Sequence, residues 1–300
     1  MRKSIRPRNA LLALLVLMVL LCCLPFAALA QTSAAMLCGV PVPEGATYVD
    51  MGETKVANLT VFAEELAQYP QITKVDMYNS RVKKAQMETL SEQFPNVRFG
   101  WTLRFGKWRV RTDVTAFSTH NNTHSKAYTS QVFEVLKYCK DLEALDLGHN
   151  MVNDISFLTE LKKLKILILA DNSVKDITPL AQLTELEYVE MFRNHITDLS
   201  PLAGLTKLKD VNMCRNFNIK DATALLSCPS LERVWLSYCG IDEAQQETLR
   251  AAFPDAAFNF TVYSSTAGGW REHPRYFDVV KMFSTRQYRP WSNTDTAEAI

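Results

Sequence analysis

Residues 158–179 read LTELKKLKILILADNSVKDITP and residues 180–201 read LAQLTELEYVEMFRNHITDLSP, two copies of one pattern laid end to end. A fixed period constrains a fold more tightly than any composition, because every copy must adopt one local structure and bury its apolar side against its neighbours. The period is 22: Asn150, Asn172, Asn194 and Asn216 keep that spacing, and Cys239 follows after 23 with one extra residue in FNIKD. Leu158, Leu161, Leu164, Leu167, Leu169, Asn172, Val174 and Ile177 define the template. It is filled again from Leu136 to Ile155, from Leu180 to Leu199, from Leu202 to Ala222 and from Leu225 to Ile241. Cys139 and Cys228 stand at leucine positions and read as buried thiols.

The run LKILILADNSVKDITP, held in register five times, resembles the short leucine-rich repeat of the internalin type found in secreted and surface-attached bacterial proteins. The resemblance covers about residues 136–241. It implies an α/β leucine-rich repeat solenoid, a right-handed superhelix with a parallel concave sheet, short convex turns and helix-bearing end units. It also implies that Asn150, Asn172, Asn194, Asn216 and Cys239 bond neighbouring backbone at the turn. Asp154, Asp176, Asp198 and Asp221 recur after the turn. We read them as caps of the convex segments, since the tight carboxylate cluster of a calcium loop is missing.

The ends carry a second, older duplication. AQMETLSEQFPNVRFGWTLRF at 85–105 superposes on AQQETLRAAFPDAAFNFTVYS at 244–264, pairing Leu90 with Leu249, Phe94 with Phe253 and Phe99 with Phe258. Each copy reads as an amphipathic helix followed by a strand, and both are expected to cover exposed core at the ends. Between Phe99 and Asp113 apolar residues alternate with others around Gly106-Lys107, which predicts a β-hairpin. That hairpin carries Arg98, Arg104, Lys107, Arg109 and Arg111, an alternative site for an anionic polymer of cell wall or glycan type. The tail GGWREHPRYFDVVKMF supplies Trp270, Tyr276, Val280 and Phe283 for packing.

The domain reading is therefore a signal peptide at 1–30, a flexible leader at 31–47 and an N-terminal cap unit at 48–130 holding one repeat-like turn, a helix and the hairpin. Repeats at 131–243, a C-terminal cap at 244–291 and a frayed tail at 292–300 complete it. Arg2, Lys3, Arg6 and Arg8 precede an uncharged apolar run that ends in Ala28-Leu29-Ala30, the pattern of an export signal. Membrane association is expected only if that segment is retained. The formal net charge of +1, less those four positive charges, is −3 after cleavage, so no nucleic-acid partner is indicated. No cofactor or metal motif occurs, and no hydrolase motif frames the five histidines. The chain reads as a monomeric, non-enzymatic protein, secreted or held at the cell surface.

Function is expected on the residues that flank the inward strand positions and so point outward. Ile166, Ile168, Tyr188, Glu190, Phe192, Arg193, Asn212, Arg215, Arg233, Trp235 and Tyr238 make a concave face of aromatic and aliphatic side chains rimmed by charge. This is the composition of a protein- or peptide-binding surface. Cys214 is expected on the same face as a small exposed side chain, with His149 and His195 at its turn side.

Overall fold

The computed structural model describes residues 35–122 and 125–292. The expected signal segment, the first residues of the expected leader and the tail beyond 292 lie outside the described residues. The chain opens with an antiparallel ribbon, β1 (Met36–Leu37) and β2 (Val40–Pro41). Residues 35–47, expected as a flexible leader, are instead tied down: Leu37 is fully buried, and Tyr69 donates its hydroxyl to the Met36 carbonyl at 3.0 Å. An apolar side chain that can seal the open end of a stack is held there whatever the polarity of its neighbours.

A parallel sheet follows, made of β3 (Tyr48–Asp50), β4 (Lys74–Asp76) and β5 (Arg98–Gly100), with α1 (Leu59–Leu66) and α2 (Lys84–Gln93) between the strands. Next, β6 (Thr102–Phe105) and β7 (Trp108–Arg111) pair as a hairpin around Gly106, whose φ of 52° is one that glycine adopts without a Cβ penalty. Seven strands then stack in parallel and in sequence order: β8 (Ala116–Ser118), β9 (Ala144–Asp146), β10 (Ile166–Ile168), β11 (Tyr188–Glu190), β12 (Asp210–Asn212), β13 (Arg233–Trp235) and β14 (Ala257–Asn259). Their connections are short 3-10 turns, except that one α-helical turn (Ser130–Phe133) precedes the 3-10 segment between β8 and β9, and α3 (Glu243–Ala252) precedes β14. Every bound of β4, α2 and β5 recurs 159 residues later in β13, α3 and β14, so the end duplication is one of structure as well as sequence.

Strands of three residues are too short to hold themselves, and two polar ladders fix their spacing. The Asn172 side-chain amide donates to the carbonyls of Leu147, Leu169 and Ala170, while its oxygen accepts the Val152 N–H at 2.8 Å. Asn194 repeats this one coil on, and Cys239 ends the series with its thiol on the Met213 carbonyl at 3.3 Å. On the convex side Asp154, Asp176, Asp198 and Asp221 each accept the backbone N–H two residues ahead at 2.7–2.8 Å. Hydroxyl and backbone donors of Thr178, Ser200 and Thr223 hold Asp176, Asp198 and Asp221 below the ordinary aspartate pKa.

At the other edge His149, Asp171, Arg193, Arg215 and Tyr238 all adopt φ between 55° and 60°. That left-handed conformation costs about 1–2 kcal/mol for a residue with a Cβ. It is compensated in four of the five turns, where the N–H donates at 2.8 Å to the next coil, His149 to Ala170, Asp171 to Phe192, Arg193 to Cys214 and Arg215 to Ser237.

After β14 the chain does not stay at the end of the stack. Residues 260–273 turn back over the concave side and lead into α4 (Pro274–Thr285), which packs against β8 and β9 near the opposite end of the long sheet. Of the C-terminal cap expected at 244–291, α3 and β14 lie at the end of the stack, and the residues from 260 on form a strap across its face instead. No helix among the described residues is long and apolar enough to cross a membrane.

Candidate functional site

The strap decides which of the outward residues meet solvent. Ile166, Tyr188, Glu190, Asp210 and Asn212 are 0% exposed, and Ile168, Phe192, Arg233 and Trp235 are also buried. These side chains do point outward from the sheet, as the alternation requires, but the expectation that they face solvent is corrected. Trp270 sits fully buried between Tyr188 and Trp235, with ring centroids at 5.4 and 5.3 Å. Ile166 and Ile168 lie in one apolar cluster with Val279, Met282 and Phe283 of α4.

Charge is matched as closely as apolar surface. Arg233 donates two hydrogen bonds to Asp210, Nε to Oδ1 at 2.9 Å and Nη2 to Oδ2 at 2.7 Å. Arg275 of the strap adds a third at 2.6 Å and also reaches Glu232. Glu190 accepts from the Tyr188 hydroxyl at 2.7 Å, the Trp270 indole at 2.7 Å and the Arg271 guanidinium at 2.6 Å. Asn212 donates to the Ser265 carbonyl at 2.7 Å, and the Trp235 indole donates to that of Ala267 at 2.9 Å. Buried carboxylates are tolerated only with such partners. Burial beside Glu190 pushes the Tyr188 phenol well above its ordinary pKa, so it stays a donor.

Three of the eleven proposed concave residues remain outside the strap: Arg193, Arg215 and Tyr238, all of the left-handed edge. Arg215 lies 4.4 Å from the Tyr238 ring and donates to the Tyr263 carbonyl at 3.0 Å. Arg193 pairs with Asp171 at 3.2 Å, and Asp171 also meets His149 Nδ1 at 3.0 Å. A cleft of about 700 Å³ opens here, lined by Arg193, His195, Arg215, Phe217 and Tyr263 among others. Phe217 and Tyr263 are 60% and 79% exposed. Both escaped sequence reasoning. Phe217 occupies the one-residue insertion of its repeat, and that irregularity was the available signal.

The basic residues of the hairpin separate into two groups. Arg98 is paired with Asp141, and Arg111 with Asp113 at 2.7 Å. Arg104 and Arg109 face each other across the hairpin and are exposed, while Lys107 lies 5.4 Å from the Trp108 ring at the tip.

Cys214 is not an exposed residue. It is 0% exposed beneath the strap, and burial pushes its thiol up to about 11, which leaves it protonated at neutral pH. Cys139 and Cys228 are buried in the core as the repeat template requires, and none of the five described cysteines is paired. Among the described residues no group of three metal-ligating side chains converges.

The family described as Leucine Rich repeats (2 copies) matches residues 162–204, the two most regular turns. The fold is a leucine-rich repeat solenoid. Such solenoids are interaction modules, which offer partners a repeated rigid surface. No curated protein sequence matches the chain. Among solved structures, internalin InlF of Listeria monocytogenes is 25% identical over 53% of this chain and 47% of its own, with a TM-score of 0.43. Internalin C2 of the same organism is 21% identical over 73% of this chain and 82% of its own, with a TM-score of 0.42. The Leptospira interrogans LRR protein LIC12759 is 16% identical over 66% and 57%, with a TM-score of 0.37. The chain therefore spans about half the length of the first of these relatives.

Proposed function

We propose that the chain is an exported, non-enzymatic recognition module for a protein or peptide, and that its contact surface is the left-handed edge of the repeats rather than the concave floor. The observation that carries this reading is the cluster of Phe217, Tyr238 and Tyr263, three exposed aromatics beside Arg193 and Arg215. Aromatic rings with arginine neighbours are the side chains from which binding hot spots are made. Nothing in the packing requires them outside: Phe217 and Tyr263 leave most of their apolar surface in water. The floor residues Tyr188, Glu190, Asp210 and Trp235 act through the strap, which they hold in place and which carries Tyr263 to the edge. Export rests on the basic start and apolar run of residues 1–30.

The test is capture from the native surroundings by the immobilised chain, compared with the Phe217→Ala, Tyr238→Ala, Tyr263→Ala triple variant at matched thermal stability. Loss of the captured protein supports the edge as the contact surface. Undiminished capture by the triple variant rejects it.

A further inference from the structure

A second cleft lies where the strap ends, and it goes beyond the edge site in place and in chemistry. It is about 870 Å³ in volume and runs between the β6–β7 hairpin, the β4 turn and the C-terminal end of α4. Arg109, Arg111 and Arg286 line it, and Asp113 is its sole acidic side chain. Asp113 is already engaged by Arg111, whose guanidinium also lies 3.7 Å from the centroid of the Tyr78 ring. Arg109 and Arg286 have no carboxylate partner among the described residues, so the cleft keeps two guanidinium charges that Asp113, paired with Arg111, does not neutralise. Arg104, directly opposite Arg109, adds a like charge where cross-strand pairing favours opposite ones. An anion held at Arg109 would relieve that repulsion.

The cleft is preorganised by the strap. The Tyr288 N–H donates to Thr115 Oγ1 at 2.8 Å and Lys165 lies 4.3 Å from the Tyr288 ring, so the end of α4 is fixed against β8 and the sheet. Arg286 itself terminates α4 at φ 55°. The rest of the lining is uncharged, with the apolar Val110 and Val114 beside hydrogen-bonding groups such as Asn79, Thr102, Gln287 and the phenol of Tyr288. That mixture suits a ligand with hydroxyls between its charges. A nucleic acid, with a phosphate for every 1.7 Å of duplex, calls for a long basic stripe, which a chain of net charge +1 does not offer here.

We propose that this cleft binds an acidic saccharide chain, its carboxylates held by the guanidinium forks of Arg109 and Arg286 and its hydroxyls by the amides and hydroxyls between them. The volume is in the range of clefts that hold small ligands, enough for a short stretch of such a chain.

The experiment is calorimetric titration of the full chain with an oligogalacturonate, its methyl ester, inorganic polyphosphate and poly-glutamate. Saturable binding of the oligogalacturonate, lost on esterification, is expected. The Arg109→Ala, Arg286→Ala variant should weaken it by about tenfold or more, the loss of two charge-assisted contacts. Lys107→Ala, at the hairpin tip outside the cleft, should leave it within about twofold. All three positions are exposed, and circular dichroism melts confirm that the variants fold. The proposal is overturned by absence of oligogalacturonate binding, by equal weakening in the Lys107 variant, or by polyphosphate or poly-glutamate binding as tightly with the same dependence on Arg109 and Arg286. Because Phe217, Tyr238 and Tyr263 lie on another edge, failure here leaves the recognition reading standing, and the reverse holds as well.

Discussion

The three-stranded sheet β3–β5 and the seven-stranded sheet β8–β14 are built on the same strand of one inward apolar residue between two outward ones, and they are finished differently. The short sheet turns Tyr48, Asp50, Lys74, Asp76 and Arg98 outward: Tyr48 and Asp50 are exposed, Lys74 and Arg98 half-buried, and Asp76 is buried, accepting the Tyr48 hydroxyl at 2.9 Å. The long sheet turns Ile166, Ile168, Tyr188, Glu190, Asp210 and Trp235 outward, and all are buried under the strap. Asp76 apart, the outward side chains of the short sheet suit water and keep contact with it. Outward isoleucine and tryptophan mark a face that has a partner, and here the partner is the chain's own C-terminal segment. A concave surface rich in apolar residues is therefore evidence of contact in general, and only the tail decides whether that contact is intramolecular.

The largest expected difference between the two sheets is electrostatic. Asp210→Ala leaves Arg233 and Arg275 buried without their shared carboxylate and should cost about 3–5 kcal/mol of unfolding free energy. Lys74→Ala in the short sheet removes a pair whose lysine side chain is 41% exposed and whose buried Asp76 keeps the Tyr48 hydroxyl as a donor, and should cost about 1 kcal/mol. Urea denaturation of both variants checks this. Equal losses would break the distinction between a sealed and an open face.

Packing gives the next test. Trp270→Ala removes the ring that fills the space between Tyr188 and Trp235 and should cost about 3–5 kcal/mol. Alkylation sharpens the outcome, because Cys214 is shielded in the folded chain and its thiol is pushed up to about 11 by burial. Native-state labelling at Cys214, read by mass spectrometry, should be slow in the wild type and faster in Trp270→Ala, with Cys139 in the repeat core unchanged. Equal protection of Cys214 in both would mean that Trp270 does not hold the strap down.

How much of this was readable before the structure follows from the same contrast. The repeat placed the inward and outward columns correctly, down to the register of Ile166 on Tyr188 and of Tyr188 on Asp210, because period and alternation are local properties. The destination of the tail was not readable. Helix α4 shows an apolar stripe at Val279, Met282 and Phe283, but an amphipathic stripe says that a face is buried and not against what. One signal was available. Arg275 falls on that same stripe, and an arginine on a buried face requires a carboxylate opposite, which the outward Asp210 column supplies. Likewise, outward Ile166 and Ile168 implied a cover, and the tail held two tryptophan-and-arginine segments, GGWRE and YRPWS, that could supply it. In the N-terminal unit the error ran the other way: a polar, proline-bearing leader was read as flexible because its fully buried anchor, Leu37, has no periodicity to announce it.

A smaller effect separates the ladders. Asn194→Ala leaves the buried Val174 N–H without its acceptor and takes one of two side-chain donors from the Leu169 and Met191 carbonyls, which keep Asn172 and Asn216, and should cost about 1–3 kcal/mol. At the corresponding turn of the short sheet Ser80 accepts one N–H, that of Val56 at 2.9 Å, so Ser80→Ala should cost about 1 kcal/mol. Thermal unfolding of the two variants orders them, and a costlier Ser80→Ala would show that the short sheet depends on its turn as much as the long one does.

The smallest effect is a dependence on acid confined to the convex side of the long sheet's repeats. The convex caps of the repeats are Asp176, Asp198 and Asp221, whose folded pKa values lie below the ordinary aspartate value because hydroxyl and backbone donors of Thr178, Ser200 and Thr223 favour the carboxylate. The cap of α1 is Asn58, which accepts the N–H groups of Thr60 and Val61 at 3.0 and 3.3 Å and does not titrate. A depressed folded pKa contributes stability above the unfolded value, near 4, and loses it as pH falls through the folded value. The Asp176→Asn, Asp198→Asn, Asp221→Asn variant should therefore melt below the wild type at pH 7 and converge with it under acid. Asn58→Ala should keep the same deficit at both pH values. The outcome that would undo the contrast is a convex-cap deficit that persists at pH 2, since the carboxylate charge would then contribute nothing to holding the repeats.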